Sequence, residues 1–236
     1  MENFTMRQIK TSCLALASLA AIALAGGTAT AATVEACGDL VCYQWDDSQP
    51  ALELLGDPVL VGNDLQFTPG GETPFRADSA DGSGTGTANA TLIIDRVYTV
   101  GGQSIQSIAV SEEGDWEIAQ GGAVAADLYV QGVSLSSVMD IAIDTDSVDA
   151  DGDSGGPQVW GALAEISPEG SFAGSSNDLR LTLQNSLAAF TGDAGDSAFI
   201  EKGVVTVVTS VVPVPAAAWL FGSALGLLAW VRRRTA

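Results

Sequence analysis

Leu179-Arg180-Leu181-Thr182-Leu183-Gln184 alternates apolar and polar side chains without a break. Successive side chains of a β-strand point to opposite faces. The hexamer therefore offers a leucine face to a core and a polar face to water, as a half-buried antiparallel strand requires.

Working outward, the same signal recurs at intervals. Upstream lie Thr91 to Val100 (TLIIDRVYTV), Ser104 to Ser111, Trp116 to Ala119, Val124 to Val133 and Val138 to Asp144. Val159 to Ile166 and Ala198 to Val211 complete the series. Val41 to Asp46 is an earlier strand candidate, aromatic and β-branched. Leu52 to Phe67 reads as a hairpin, with Val59-Leu60-Val61 and Leu65-Gln66-Phe67 flanking the turn Gly62-Asn63-Asp64. Glu112-Glu113-Gly114-Asp115 reads as a further turn. Thr68 to Thr87 is rich in Gly, Pro, Asp and Ser and reads as a surface loop. No stretch shows a long helical period; Ser186 to Phe190 has room for one short turn. Many short strands separated by Gly/Asp turns predict an all-β antiparallel β-sandwich, jelly-roll-like in its connections.

The chain has 236 residues, and its two ends read as addresses. Arg7 and Lys10 precede the apolar run Cys13 to Ala25, and Ala29-Thr30-Ala31 supplies an A-x-A site. This is a secretory signal peptide with an N-terminal signal helix over residues 1–31, cut by signal peptidase before Ala32. At the other end, Pro213 and Pro215 stop the preceding strand, and Ala216 to Val231 carries no charge. Arg232, Arg233 and Arg234 then close the run. An uncharged apolar run can cross a bilayer as a helix, with its arginines left on the cytoplasmic side. The expected organisation is residues 1–31 as leader, 32–211 as exported β-sandwich, and 212–236 as a sorting tail with a transmembrane helix in the inner membrane.

The order of this tail resembles a known family. Val212-Pro213-Val214-Pro215, then Ala-Ala-Ala-Trp-Leu-Phe-Gly-Ser, a Leu/Gly-rich helix and the arginine cluster look like the PEP-CTERM sorting signal. They are closer to its VPLPA-type variant, in which the middle glutamate is replaced. The resemblance implies a bacterial protein handled by an exosortase, which recognises the tail, cleaves near the prolines and passes the body to the cell surface or extracellular matrix. It also implies an association with exopolysaccharide or biofilm. A plain single-pass anchor is the alternative reading of the same hydropathy.

Composition narrows what the body can do. Its basic residues are Arg76, Arg96, Arg180 and Lys202, set against all but one of the chain's 29 acidic residues. That sign opposes nucleic-acid phosphates and anionic lipid surfaces, so no nucleic-acid partner is expected. It suits solubility and divalent cations. Cys37 and Cys42 remain once the leader is gone, and an even pair in an oxidising compartment predicts a local disulfide. Metal binding by the two thiols is the rival reading, for which histidine or further cysteine is missing.

Gly152-Asp153-Ser154-Gly155-Gly156-Pro157 repeats the letters around the nucleophile of trypsin-like proteases. The chain has no histidine to take the serine's proton, so a non-catalytic body is expected. In the same region Asp144, Asp146, Asp149, Asp151 and Asp153 crowd together, as if in one loop. Asp149, Asp151 and Asp153 are candidate calcium ligands, though neither EF-hand register fits; a solvated acidic turn is the plainer reading. No other cofactor is expected. Glu112, Glu113, Glu117, Glu165 and Glu169 could in principle pair as glycosidase carboxylates. Trp45, Trp116 and Trp160 are either stacking platforms of a carbohydrate-binding module or core tryptophans of a sandwich. Asn89 heads an Asn-Ala-Thr triplet.

Overall fold

The computed structural model describes residues 32–212, apart from 72 and 138. The leader, the proline pair, the transmembrane segment and the arginine cluster, with Pro213, Val214, Pro215, Arg232, Arg233 and Arg234, therefore lie outside the described residues. Among the described residues no helix is long and apolar enough to cross a membrane.

The body is an all-β sandwich of two antiparallel sheets. In chain order its strands are β1 (Thr33–Cys37), β2 (Val41–Asp46), β3 (Val59–Val61), β4 (Asp64–Phe67), β5 (Arg76–Ala80), β6 (Gly84–Thr99), β7 (Ile105–Ala119), β8 (Ala123–Ser134), β9 (Ile141–Asp151), β10 (Gln158–Ile166), β11 (Asp178–Thr191) and β12 (Ser197–Val211). Two short helices, α1 (Ala51–Leu55) and α2 (Pro168–Ser171), interrupt them. One sheet has the order β1-β2-β6-β11-β8-β9; the other runs β10-β7-β12-β4-β3, with β5 also on β12.

The pairing is nested. β8 pairs with β9, β7 with β10, β6 with β11 and β5 with β12. Two further ladders, β11 with β8 and β12 with β7, close the nest into two layers. The core lies between the layers. On β11 every second residue from Leu179 to Thr191 is buried, which is the leucine face of the opening hexamer continued to the end of the strand. Ile108, Val110 and Ile118 of β7 and Ile200, Val205 and Val207 of β12 belong to the same core.

Two bulges keep long strands in register with it. On β6 the partners jump from Val97–Leu179 to Ile94–Leu181, and burial shifts from even to odd residues. On β12 Gly203 is the extra residue, between Lys202–Gly114 and Val204–Glu113. A bulge inserts one residue and turns the following side chains to the other face. Here it keeps Lys202 and Val205 both inward.

Several sequence expectations are corrected. Glu112-Glu113-Gly114-Asp115 is not a turn: β7 runs straight through it, because the charge of Glu112 is paired inside the core. Half of the expected loop Thr68 to Thr87 is strand, β5 and the start of β6. Small residues hid it. Gly86 lies so close to β5 that a Cβ there would collide with the Asp78 carbonyl. The Leu52–Phe67 hairpin is confined to β3 and β4, with α1 before it. Ser186 to Phe190 is strand, not a helical turn. The aspartates Asp144, Asp146, Asp149 and Asp151 sit on β9 rather than in a loop.

Candidate functional site

The outer face of the β6-β11-β8-β9 sheet carries polar side chains in register. One cross-strand row is Thr91, Gln184, Tyr129 and Thr145; the next is Asn89, Ser186, Asp127 and Ser147. These residues point outward because their neighbours Leu92, Leu183, Leu187, Leu128 and Val148 pack into or against the core. Together they line a shallow depression of about 560 Å³. Tyr129 supplies an aromatic ring among hydroxyls, amides and one carboxylate. Beside it a second hollow of about 380 Å³ is lined by Ala123, Ala125, Ala188 and Phe190, with Asp149 and Asp151 at its rim.

The calcium candidates fall at this end. Asp149 and Asp151 are on the exposed face of β9, and Asp153 is in the following bend, where its carboxylate accepts the Gly155 N–H at 2.9 Å. Their oxygens are not gathered within ligand reach of one another; among the described residues only Glu35, Cys37 and Cys42 are so grouped. Those two cysteines form a disulfide across the β1–β2 hairpin, at paired positions, and offer no thiolate. Asp144 and Asp146 do something else. They accept the backbone N–H groups of Glu165 and Leu163, both at 2.8 Å. These N–H groups lie on the outer edge of β10, so two carboxylates of one sheet edge close the open edge of the other.

Ser154 is also structural in its contacts. Its hydroxyl accepts the Ile118 N–H at 3.0 Å and bonds to the carbonyls of Ile118 and Gly156. It pins the β9–β10 loop to β7. Trp45 and Trp160 are buried core residues, and Trp116 is half-buried against the core. Glu113, Glu165 and Glu169 are exposed and lie apart on β7, β10 and α2. Val212 is the last described residue; its N–H donates to Ser104 at 2.9 Å.

Sequence reasoning missed a buried polar cluster between the sheets. Lys202 is 0% exposed and Glu112 1% exposed, and they form an ion-pair contact within the β12–β7 layer. From the facing layer Asn185 of β11 brings its Oδ1 to 2.6 Å from the Lys202 amine. Phe75 and Trp160 wall the amine, with ring centroids at 5.2 and 5.6 Å. Gly114 makes room: a Cβ there would strike the Glu201 carbonyl and crowd the Trp160 indole, which donates to that carbonyl at 3.0 Å. Desolvation pushes the Lys202 pKa down and the Glu112 pKa up, each opposed by the other's charge. Two atoms of the cluster have no partner, Glu112 Oε1 and Asn185 Nδ2. The only legible signal was an Asn, Glu or Lys standing where alternation calls for an apolar residue.

Comparison with family models, curated proteins and solved structures finds no match to this chain.

Proposed function

We propose that the chain is an exported, non-catalytic surface or extracellular-matrix protein whose tail is handled by an exosortase. The observation that carries this reading is the residue order Val212-Pro213-Val214-Pro215, apolar run, Arg232-Arg233-Arg234. Three features of the body support it. The Cys37–Cys42 disulfide suits an oxidising compartment. β12 ends at Val211, just ahead of the prolines, so cleavage there would leave every strand intact. The nested strand order of the two sheets suits a jelly-roll-like body that buries its own core between its layers. Deleting residues 213–236 tests the reading. It should abolish surface delivery and leave the sandwich folded; a truncated chain that still reaches the surface in the same processed state would refute it.

A second reading is carbohydrate binding, and the outer face of the β6-β11-β8-β9 sheet favours it. Rows of hydroxyls and amides around Tyr129 can meet sugar hydroxyls while the ring stacks on a pyranose face. The partner would be an exopolysaccharide. With Trp45 and Trp160 in the core, the test moves to this face: Tyr129→Ala and Gln184→Ala should each abolish retention on a polysaccharide affinity gel. Calcium assistance remains part of this reading, with Asp149, Asp151 and Asp153 as ligands. Their oxygens do not converge in this structure, so the carboxylates would have to draw together around the ion, and calcium at about millimolar levels, typical of extracellular sites, should raise the melting temperature. No response would remove the ion from the account.

A further inference from the structure

We propose that Lys202 and Asn185 join in an intramolecular isopeptide bond, with Glu112 as the acid–base catalyst. The bond would tie β12 covalently to β11, across the core and between the two sheets. It does not depend on the sorting reading.

The geometry assembles the reaction. A primary amine, a carboxamide and a carboxyl group meet in a water-excluded space walled by Phe75 and Trp160. The amine nitrogen is 2.6 Å from Asn185 Oδ1, so the electrophilic Cγ is one bond further on. An amine is a nucleophile only when unprotonated, and desolvation in an apolar pocket favours that form. The same desolvation favours the neutral acid at Glu112, the form that can donate to the amide oxygen as charge develops on it.

The bonds balance without any co-reactant. The Lys202 nitrogen lone pair attacks Asn185 Cγ, and the carbonyl π pair moves to Oδ1, which Glu112 stabilises. Glu112 takes a proton from the attacking nitrogen and delivers it to Nδ2. The Cγ–Nδ2 bond breaks and ammonia leaves with that pair. Glu112 ends as it began, and a secondary amide links the two side chains.

The alternative is a plain buried ion pair, and it leaves the cluster poorly satisfied. Burying unpaired polar atoms is costly, and a buried ion pair often fails to offset its own desolvation. Glu112 Oε1 and Asn185 Nδ2 are both orphaned. Condensation expels Nδ2 as ammonia, removes the amine's capacity for charge, and leaves a carbonyl for Glu112 to donate to. The reaction thus answers the unpartnered polar atoms of the unreacted side chains.

Trypsin and mass spectrometry decide the matter, because Asn185 and Lys202 fall between the cleavage sites after Arg180 and Lys202. The full chain is made with its own leader and tail, unfolded, reduced, alkylated and digested. A linked Lys202 cannot be cut. The expected fragment starts at Leu181, runs through Lys202, is lighter than its sequence by one ammonia, and fragments as a loop closed between Asn185 and Lys202. A Leu181–Lys202 peptide at full sequence mass overturns the proposal. So does an ammonia loss at Asn185 with Lys202 still cleaved, which marks a local succinimide. Glu112→Gln keeps the volume and should lose the link; a variant that links as fully as the parent removes Glu112 from the mechanism. Should that variant not fold, the parent's digest alone still settles whether the bond exists.

Discussion

Tyr43 places its ring in the core and its hydroxyl on the opposite layer. The hydroxyl donates to the Asn63 carbonyl at 2.7 Å and shares a 2.8 Å hydrogen bond with Thr209. Burial raises its pKa well above the ordinary phenol value of 10.0. Above that pH the unfolded chain loses the proton while the folded chain keeps it, so stability falls as pH rises, by about 1.4 kcal/mol per pH unit. Tyr43→Phe should cost about 1–3 kcal/mol at neutral pH but escape this loss. Urea denaturation across the alkaline range should show the gap between parent and variant closing; parallel curves would contradict it. Alternation on β11 makes a second residue-scale prediction. Leu183→Ala should cost about 2–5 kcal/mol through its cavity, whereas Gln184→Ala, one residue on, should stay within about 0.5 kcal/mol. Equal effects would mean the faces are misassigned.

At the scale of elements, the strands with a clean apolar face were legible: β8, β10, β11 and β12 follow from apolar side chains at alternate positions, as Leu179, Leu181 and Leu183 show on β11. What stayed hidden had physical causes. Glu112 broke the alternation of β7 because its partner, Lys202, is 90 residues away in the chain. The start of β6 is built of Gly, Thr and Ala, and small residues read as loop until the close approach of β5 is known. The platform around Tyr129 depends on register between four strands, which no local pattern contains. The edge contacts carry a prediction of their own. Replacing Asp144 and Asp146 together by alanine should speed amide hydrogen exchange at Leu163 and Glu165 while core amides of β11 stay protected. Unchanged rates at both amides would show that the carboxylates do not seal that edge. The Cys37–Cys42 bridge closes a small loop at the rim, so opening it by Cys37→Ala with Cys42→Ala should cost no more than about 2 kcal/mol.

On the scale of the whole molecule, an acidic, disulfide-bearing sandwich is bracketed by two segments that read as instructions for export. Among the described residues, 32–212, the strands pair with one another in two antiparallel sheets. The account is therefore that the ends determine location and the body supplies a durable, soluble unit, held by about 70% burial of its unfolded surface as expected at this size. The measurement that tests this most directly is the intact mass of the mature protein recovered from the producing cell. The account predicts a species beginning at Ala32 and ending near Val212 to Pro215, with any attached group showing as added mass. A native protein that keeps both Met1 and the arginines at 232–234 would contradict it.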